Sequence, residues 1–285
     1  MASVTEIALR PMSLADISAA MRLKRFAGWN QVEADWQLLL SLSRGGSFVA
    51  RIGAGDVGTV TTVTYSGGLS WIGMMLVDPA FRRRGIGTLL LRAAIAVAQP
   101  LGRVALDATP AGRPLYERLG FTARFGLIRL GRRAAPLESL PSPGTPAIES
   151  DLPALAVFDT SAFGASREPV LRDLLHRLPE CAQVAWRGDQ LAGYALARRG
   201  SSAIQIGPII AESREDALLL LRSSLRHAAY QDTIIDVPED RADWIEELCR
   251  MGYVPQRPFT RMGLDDGALP GEPELQWAIA GPEYG

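Results

Sequence analysis

Two hydrophobic periods alternate along the chain, and the switches between them lay out its first half. Ile7 to Leu9 reads as a short strand. "PMSLADISAAMRLKRF" then spaces apolar residues three and four apart, as a helix does, with Ser13 and Asp16 placed as a capping box. The turn "AGWNQ" leads into a second helix, from Val32 to about Leu42, with Trp36, Leu39 and Leu40 on one face. That helix gives way at Gly45-Gly46, and three strands follow: Phe48 to Ile52, Val57 to Tyr65, and Leu69 to Val77. Glycine turns separate them, which makes a β-meander. Gly87 to Ala98 reads as a helix, Val104 to Ala108 as a strand, Arg113 to Leu119 as a short helix, and Thr122 to Leu130 as a last strand. The order is βααβββαβαβ, an α/β (α+β) domain.

From Arg132 to Pro146 the stretch "RRAAPLESLPSPGTP" is rich in proline and small residues and has no apolar period, the mark of a linker. It divides the chain into 1–131, a linker 132–145, and 146–285. The second half echoes the first. "YERLGFTARFGLIRL" has its counterpart in "LCRMGYVPQRPFTRMGL", "WIGMMLVDP" in "IQIGPIIAES", and "VALDATP" in "IIDVPED". Gly73 thereby aligns with Gly207, Asp107 with Asp236, and Gly120-Phe121 with Gly252-Tyr253. The echo fails where "FRRRGIGTLLL" of the first half meets "SREDALLLL", which has no glycine.

Composition narrows the function classes. A chain of 285 residues suits two ordinary domains. With 47% hydrophobic and 21% charged residues and a net charge of −1, it is neither disordered nor built to hold polyanions, so no nucleic-acid partner is expected. Cys181 and Cys249 match no metal or redox spacing, and His176 and His227 have no partner pattern, so neither a metal nor a disulfide is expected. No stretch has the apolar length of a signal core or a membrane span, which makes a cytoplasmic protein with no membrane partner, monomer or homodimer, the expectation.

The chemistry concentrates in "VDPAFRRRGIGTLLL". A strand passing through a glycine-bearing loop into a helix presents unpaired backbone amides at the positive end of the helix dipole, a site for anionic oxygens. Arg82, Arg83 and Arg84 add attraction, although alone such a run is more often a solvated surface cluster. No Gly-Lys-Ser/Thr ending is present, and Leu90 stands where a dinucleotide fingerprint needs its third glycine.

The string that does match is RxxGxG, filled by Arg82, Gly85 and Gly87, and with "LYERLGF" at Leu115 to Phe121 the sequence resembles the GNAT-type N-acetyltransferases. "AGWNQVEADW", "LDATPAGRPLYERLGF" and the degenerate second half resemble, more closely, a bacterial tandem-GNAT family. The resemblance implies two GNAT-like domains, each a mixed, mostly antiparallel sheet flanked by helices. It implies acetyl-CoA as co-substrate, with the backbone of Met75, Leu76 and Val77 on the acetyl carbonyl and pantetheine and the loop from Arg83 through Gly85, Ile86 and Gly87 to Thr88 on the pyrophosphate. Thr109 stands where many relatives have a pantetheine-binding asparagine. Tyr116 falls at the position that faces the cofactor sulfur, the place for a proton donor to the departing thiolate, although such a tyrosine is otherwise a core aromatic on an amphipathic helix.

Other residues carry open alternatives. Asp107 either orients or deprotonates the acceptor amine or caps the "TPAGRP" turn. Asn30, Gln31 and Glu33 sit in or beside the turn that walls the acceptor pocket in this fold, and Trp29 and Trp36 are either core anchors or substrate contacts. Phe163 and Arg167 in "DTSAFGASREP" line the acceptor pocket or form a turn between helices, and Asp236 faces the acceptor or ends a strand. The expected reaction is acetyl transfer to a primary amine of a small metabolite in a ternary complex. A protein or peptide acceptor, and a non-catalytic acyl-CoA sensor, are the alternatives.

Overall fold

The computed structural model describes residues 6–136 and 144–285. The first half forms β1 (Ile7–Pro11), α1 (Ile17–Ala27), α2 (Glu33–Ser41), β2 (Phe48–Ile52), β3 (Gly55–Tyr65), β4 (Leu69–Val77), α3 (Ile86–Ala98), β5 (Arg103–Ala108), α4 (Arg113–Glu117) and β6 (Phe121–Arg132). The order is the one the periodicity predicts, with shifted ends. Proline ends β1, and a single 3-10 turn over Leu14–Asp16 precedes α1, so the helix starts later than its apolar spacing suggests. The Asp16 carboxylate accepts from the backbone N–H of Ser13 at 2.8 Å and is clamped by Arg10.

The second half repeats the plan: β7 (Thr145–Pro146), α5 (Leu152–Phe163), α6 (Glu168–Arg177), β8 (Gln183–Arg187), β9 (Gln190–Arg199), β10 (Ile204–Ala211), α7 (Arg214–Ala228), β11 (Thr233–Pro238), α8 (Ala242–Arg250), β12 (Val254–Leu264) and a short β13 (Gln276–Ala278). Of the expected linker, residues 137–143 lie outside the described residues. Arg133 and Ala134 on its near side are both bonded to Asp232.

The halves exchange their last long strands. Sheet order is β1-β2-β3-β4-β5-β12-β6-β11-β10-β9-β8-β7, so β12 pairs with β5 of the first half and β6 with β11 of the second. One twisted, mostly antiparallel sheet therefore runs through the molecule. The exchange follows from amphipathic strands of similar sequence, "FTARFGLIRL" and "VPQRPFTRMGL", which pair antiparallel with each other along most of their length. Burial makes it cohesive: Leu23, Trp36 and Trp71 share one apolar core with Leu155, Leu174, Tyr194 and Tyr284.

Among the described residues the only parallel contact in each half opens a gap. β4 and β5 pair over Leu69–Trp71 with Arg103–Ala105 and then part, and β10 and β11 pair over Ile204–Ile206 with Thr233–Ile235 and then part. In the second half the gap is closed from within. β13 pairs with β10, Ile279 donates to the Asp236 carbonyl, and a Cβ on Gly207 would meet the Ile279 carbonyl at 2.0 Å. In the first half it stays open.

Candidate active site

The open gap begins at a bulge. Thr59 pairs with Leu76 but Thr61 with Gly73, so β4 carries one residue more than β3 there. Met74 takes φ 48°, and its carbonyl is satisfied by the Thr59 hydroxyl at 3.0 Å. Beyond the bulge Met75, Leu76 and Val77 have no partner strand on the β5 side. They line a cleft of about 820 Å³ together with Gly85, Ile86, Gly87, Thr88, Thr109 and Tyr116.

The loop at the end of β4 meets the demands of an anionic ligand. Gly85 caps α3 with φ 80°, and a Cβ there would have nothing within 4 Å, so open space lies before the helix end. No side chain caps that end. A Cβ on Gly87 would press on Leu115 at 3.2 Å, so glycine serves packing there. Arg82 and Arg83 line the cleft, while the Arg84 guanidinium lies 5.2 Å from the Phe81 ring centre. The equivalent end of α7 is closed. The Ser213 hydroxyl accepts from the Asp216 N–H at 3.2 Å, and Glu215 and Asp216 fill the first turn with negative charge.

Tyr116 lies on α4 with 8% of its surface exposed, and burial pushes its phenol up to about 12. It is therefore protonated at neutral pH and available as a donor. The Thr109 hydroxyl accepts from the Gly112 N–H at 3.2 Å, which starts the turn into α4. Asp107 reaches the cleft but is fully committed: its two oxygens accept from Arg261 Nε and a terminal nitrogen of the same guanidinium, both at 2.9 Å. Burial raises its carboxyl and the Arg261 charge opposes that shift.

The remaining acceptor candidates divide sharply. Trp29 and Gln31 line the cleft, and Gln31 Oε1 is buried without a partner among the described residues. Asn30 turns away, its side chain bonded to Ser202 and Ala203 of the second half, and Glu33 is exposed at the start of α2. Trp36 is wholly buried in the core. Phe163 and Arg167 are buried and are not part of the cleft lining. Arg167 holds Asp159 through two 2.9 Å bonds and sits 4.1 Å from the Phe163 ring centre. Asp236 is held by Arg129 at 2.7 Å through both oxygens and is bonded by Gln205 as well.

Three residues on the far wall escaped the sequence reading: Arg257 and Phe259 of β12, and Glu283. Glu283 lies in the segment that plugs the second half and then crosses to β4, where Trp71 Nε1 donates to the Pro282 carbonyl at 2.9 Å. A Cβ on Gly73 would meet Glu283 Cα at 3.3 Å, so glycine lets this segment settle against the bulge. Arg198 holds one oxygen of the Glu283 carboxylate, and the other, Oε2, is buried with no partner among the described residues. Burial raises this carboxyl, Arg198 opposing and Asp35 adding to the shift. Nothing in "GPEYG" signals that role; only the folded path of the segment supplies it.

Comparison with known proteins agrees with this fold. Models of the acetyltransferase (GNAT) domain match residues 43–123 and 155–277. An uncharacterized N-acetyltransferase of Bacillus subtilis, YitH, is 28% identical over 239 residues, 83% of this chain and 84% of its own. Among solved structures, a Pyrococcus horikoshii protein described as an acetyltransferase superposes with a TM-score of 0.82 at 22% identity, over 97% of this chain and 95% of its own. A tandem GNAT protein from the clavulanic acid biosynthesis pathway superposes with a TM-score of 0.62 at 16% identity, over 92% and 99% of the two chains. The chain belongs to the GNAT acetyltransferases and carries the domain twice. Among the described residues no group of histidine, cysteine and acidic side chains is arranged to hold a metal, and no helix is long and apolar enough to cross a membrane.

Proposed function

We propose that the protein transfers the acetyl group of acetyl-CoA to a primary amine of a small metabolite, by direct attack in the cleft between β4 and β5. The observation that carries this is the convergence, on one cleft, of the uncapped α3 N-terminus, the free edge of Met75 to Val77, Tyr116 and Glu283, whose Oε2 is enclosed without a partner among the described residues. The amides from Arg83 to Thr88 receive the pyrophosphate, with Gly85 supplying the backbone turn. The strand edge at Met75 to Val77 pairs with the extended pantetheine, as an added strand would, and a backbone N–H there meets the oxyanion that develops at the acetyl carbon.

Glu283 is the base. Its Oε2 takes the proton of the ammonium group, directly or through one water, as the amine attacks the acetyl carbon. Tyr116 gives its proton to the sulfur as the carbon–sulfur bond breaks, and the second proton of the attacking nitrogen passes through water to the phenolate so formed, leaving neutral CoA thiol, an N-acetyl amine and a protonated Glu283 that releases its proton to solvent. Asp107 positions β12 through Arg261 and takes no proton. The first half binds acetyl-CoA, and the second supplies the far wall through Arg257, Phe259 and Glu283. Support for a small acceptor over a polypeptide comes from this cover and from the α1–α2 turn, where Trp29 and Gln31 face the same space. The two cysteines, both free, fit a reducing cytoplasm. Release of CoA thiol with a panel of amines, comparing the wild type with Tyr116→Phe, tests the assignment. Turnover on small amines that falls in the variant supports it, and turnover on peptides alone refutes it.

A further inference from the structure

The wall that the second half adds to the cleft contains a charge that the protein itself does not balance. Arg129 of β6 and Arg257 of β12 stand opposite each other in the ladder, and both guanidinium carbons lie over the Phe259 ring, 5.3 and 4.9 Å from its centre. Like charges facing across a strand pair are destabilising unless something nearby compensates them. Asp236 compensates Arg129. Arg257 has no such partner: it makes no ion pair among the described residues, and its half-buried side chain leaves Nε enclosed without an acceptor. Burial and then Arg129 draw its guanidinium down to about 10, so it keeps its charge at neutral pH.

Its location matters as much as its charge. A second cavity of about 1150 Å³ lies on the other side of this wall, and Arg129 and Arg257 border both it and the cleft. Glu283 lines the same end of the cleft, but Arg198 holds its carboxylate and no bond joins it to Arg257. Glu283, with one carboxylate oxygen unpartnered among the described residues, and Arg257 thus line one cleft, the first from the segment after β13 and the second from β12.

We propose that Arg257, steadied by the Phe259 ring and flanked by Arg129, is an anion subsite of the acceptor pocket. The acceptor is then a small amine that also carries an oxyanion, a carboxylate or a phosphate. This deepens the small-amine assignment above and rests on it. Arg257 suits either group because its planar fork donates two parallel hydrogen bonds. The ammonium goes to the open oxygen of Glu283 and the oxyanion to Arg257, so a zwitterion satisfies both at once, whereas an amine without an oxyanion leaves the half-buried Arg257 cation uncompensated beside Arg129.

Matched acceptor pairs test the subsite: an α-amino acid against its primary amide, and an aminoalkyl phosphate against the corresponding amino alcohol. The wild type is expected to favour the anionic member of at least one pair by about a hundredfold in kcat/KM, and which pair shows it tells carboxylate from phosphate. Arg257→Met brings that ratio to about one through KM, and Arg257→Lys keeps part of it. Acetyl-CoA affinity at the wild-type level shows that each variant is folded. A ratio unchanged in a folded Arg257→Met, or a wild-type preference for the neutral members, overturns the proposal. Should no small amine be acetylated, the small-amine assignment fails separately, and calorimetric titration with N-acetylglycine and with inorganic phosphate decides the subsite. Binding lost in Arg257→Met then supports it, and no binding by the wild type overturns it.

Discussion

Asp107 and Arg261 stand directly opposite each other in the β5–β12 ladder, joined by two 2.9 Å bonds although 154 residues separate them in the chain. Asp236 and Arg129 make the same pairing in the β11–β6 ladder. The repeated aspartate thus meets the repeated arginine of the other half, and strand exchange is locked by two buried ion pairs.

Removing one partner of such a pair leaves an uncompensated buried charge. Asp107→Asn is therefore expected to lower stability by about 3–5 kcal/mol, read by urea unfolding. If Asp107 were instead the catalytic base, the variant would lose kcat with little change in unfolding midpoint.

Tyr116→Phe is expected to reduce kcat by about a hundredfold and leave the acetyl-CoA Kd unchanged. A phenol acid works only while protonated, so activity is lost as pH rises through its pKa. With that value pushed up to about 12, the wild-type kcat shows no alkaline fall from Tyr116 in a pH–rate profile over the physiological range.

Glu283→Gln removes the base. A carboxylate base works only when deprotonated, so activity is lost as pH falls through its pKa. Burial raises Glu283, which places the acid limb of kcat/KM above the ordinary glutamate value of about 4.3. In the variant the remaining rate is lower by about a hundredfold and that limb is gone. An identical acid limb in wild type and variant excludes Glu283.

Gly85→Ala forces a side chain into φ 80°, a backbone cost of about 1–2 kcal/mol, while its Cβ meets open space in the protein. Weakened acetyl-CoA binding, read by calorimetry, is expected to exceed the loss in thermal stability. Equal losses would mean that the loop serves the fold alone.

Much of this was legible in the sequence. The 3.6 and 2 periods reported the elements because most strands and helices bury a single face, and RxxGxG reported the loop because Gly85 answers to local backbone geometry and Gly87 to close packing on Leu115. Asp107 aligned with Asp236, but an echo in sequence cannot tell that each would pair with an arginine of the other half. Asn30, Phe163 and Arg167 sat beside turns, where a ligand contact and a structural clamp look alike until their partners at Ala203, Asp159 and the Phe163 ring are placed. Glu283 and Arg257 were silent for the opposite reason. Their importance lies in one carboxylate oxygen and one guanidinium nitrogen left unpartnered among the described residues, a property of the folded cleft that no local pattern encodes.

The most direct measurement follows isotope from acetyl-CoA into product. Wild-type protein incubated with acetyl-CoA labelled in the acetyl group and a mixture of small amines, amino acids included, is examined by mass spectrometry, with Tyr116→Phe and Glu283→Gln alongside. Labelled N-acetyl product from one or more small amines, reduced about a hundredfold in both variants, is the expected result. Tight acetyl-CoA binding with no labelled small-molecule product, or product formed equally by wild type and both variants, would contradict it.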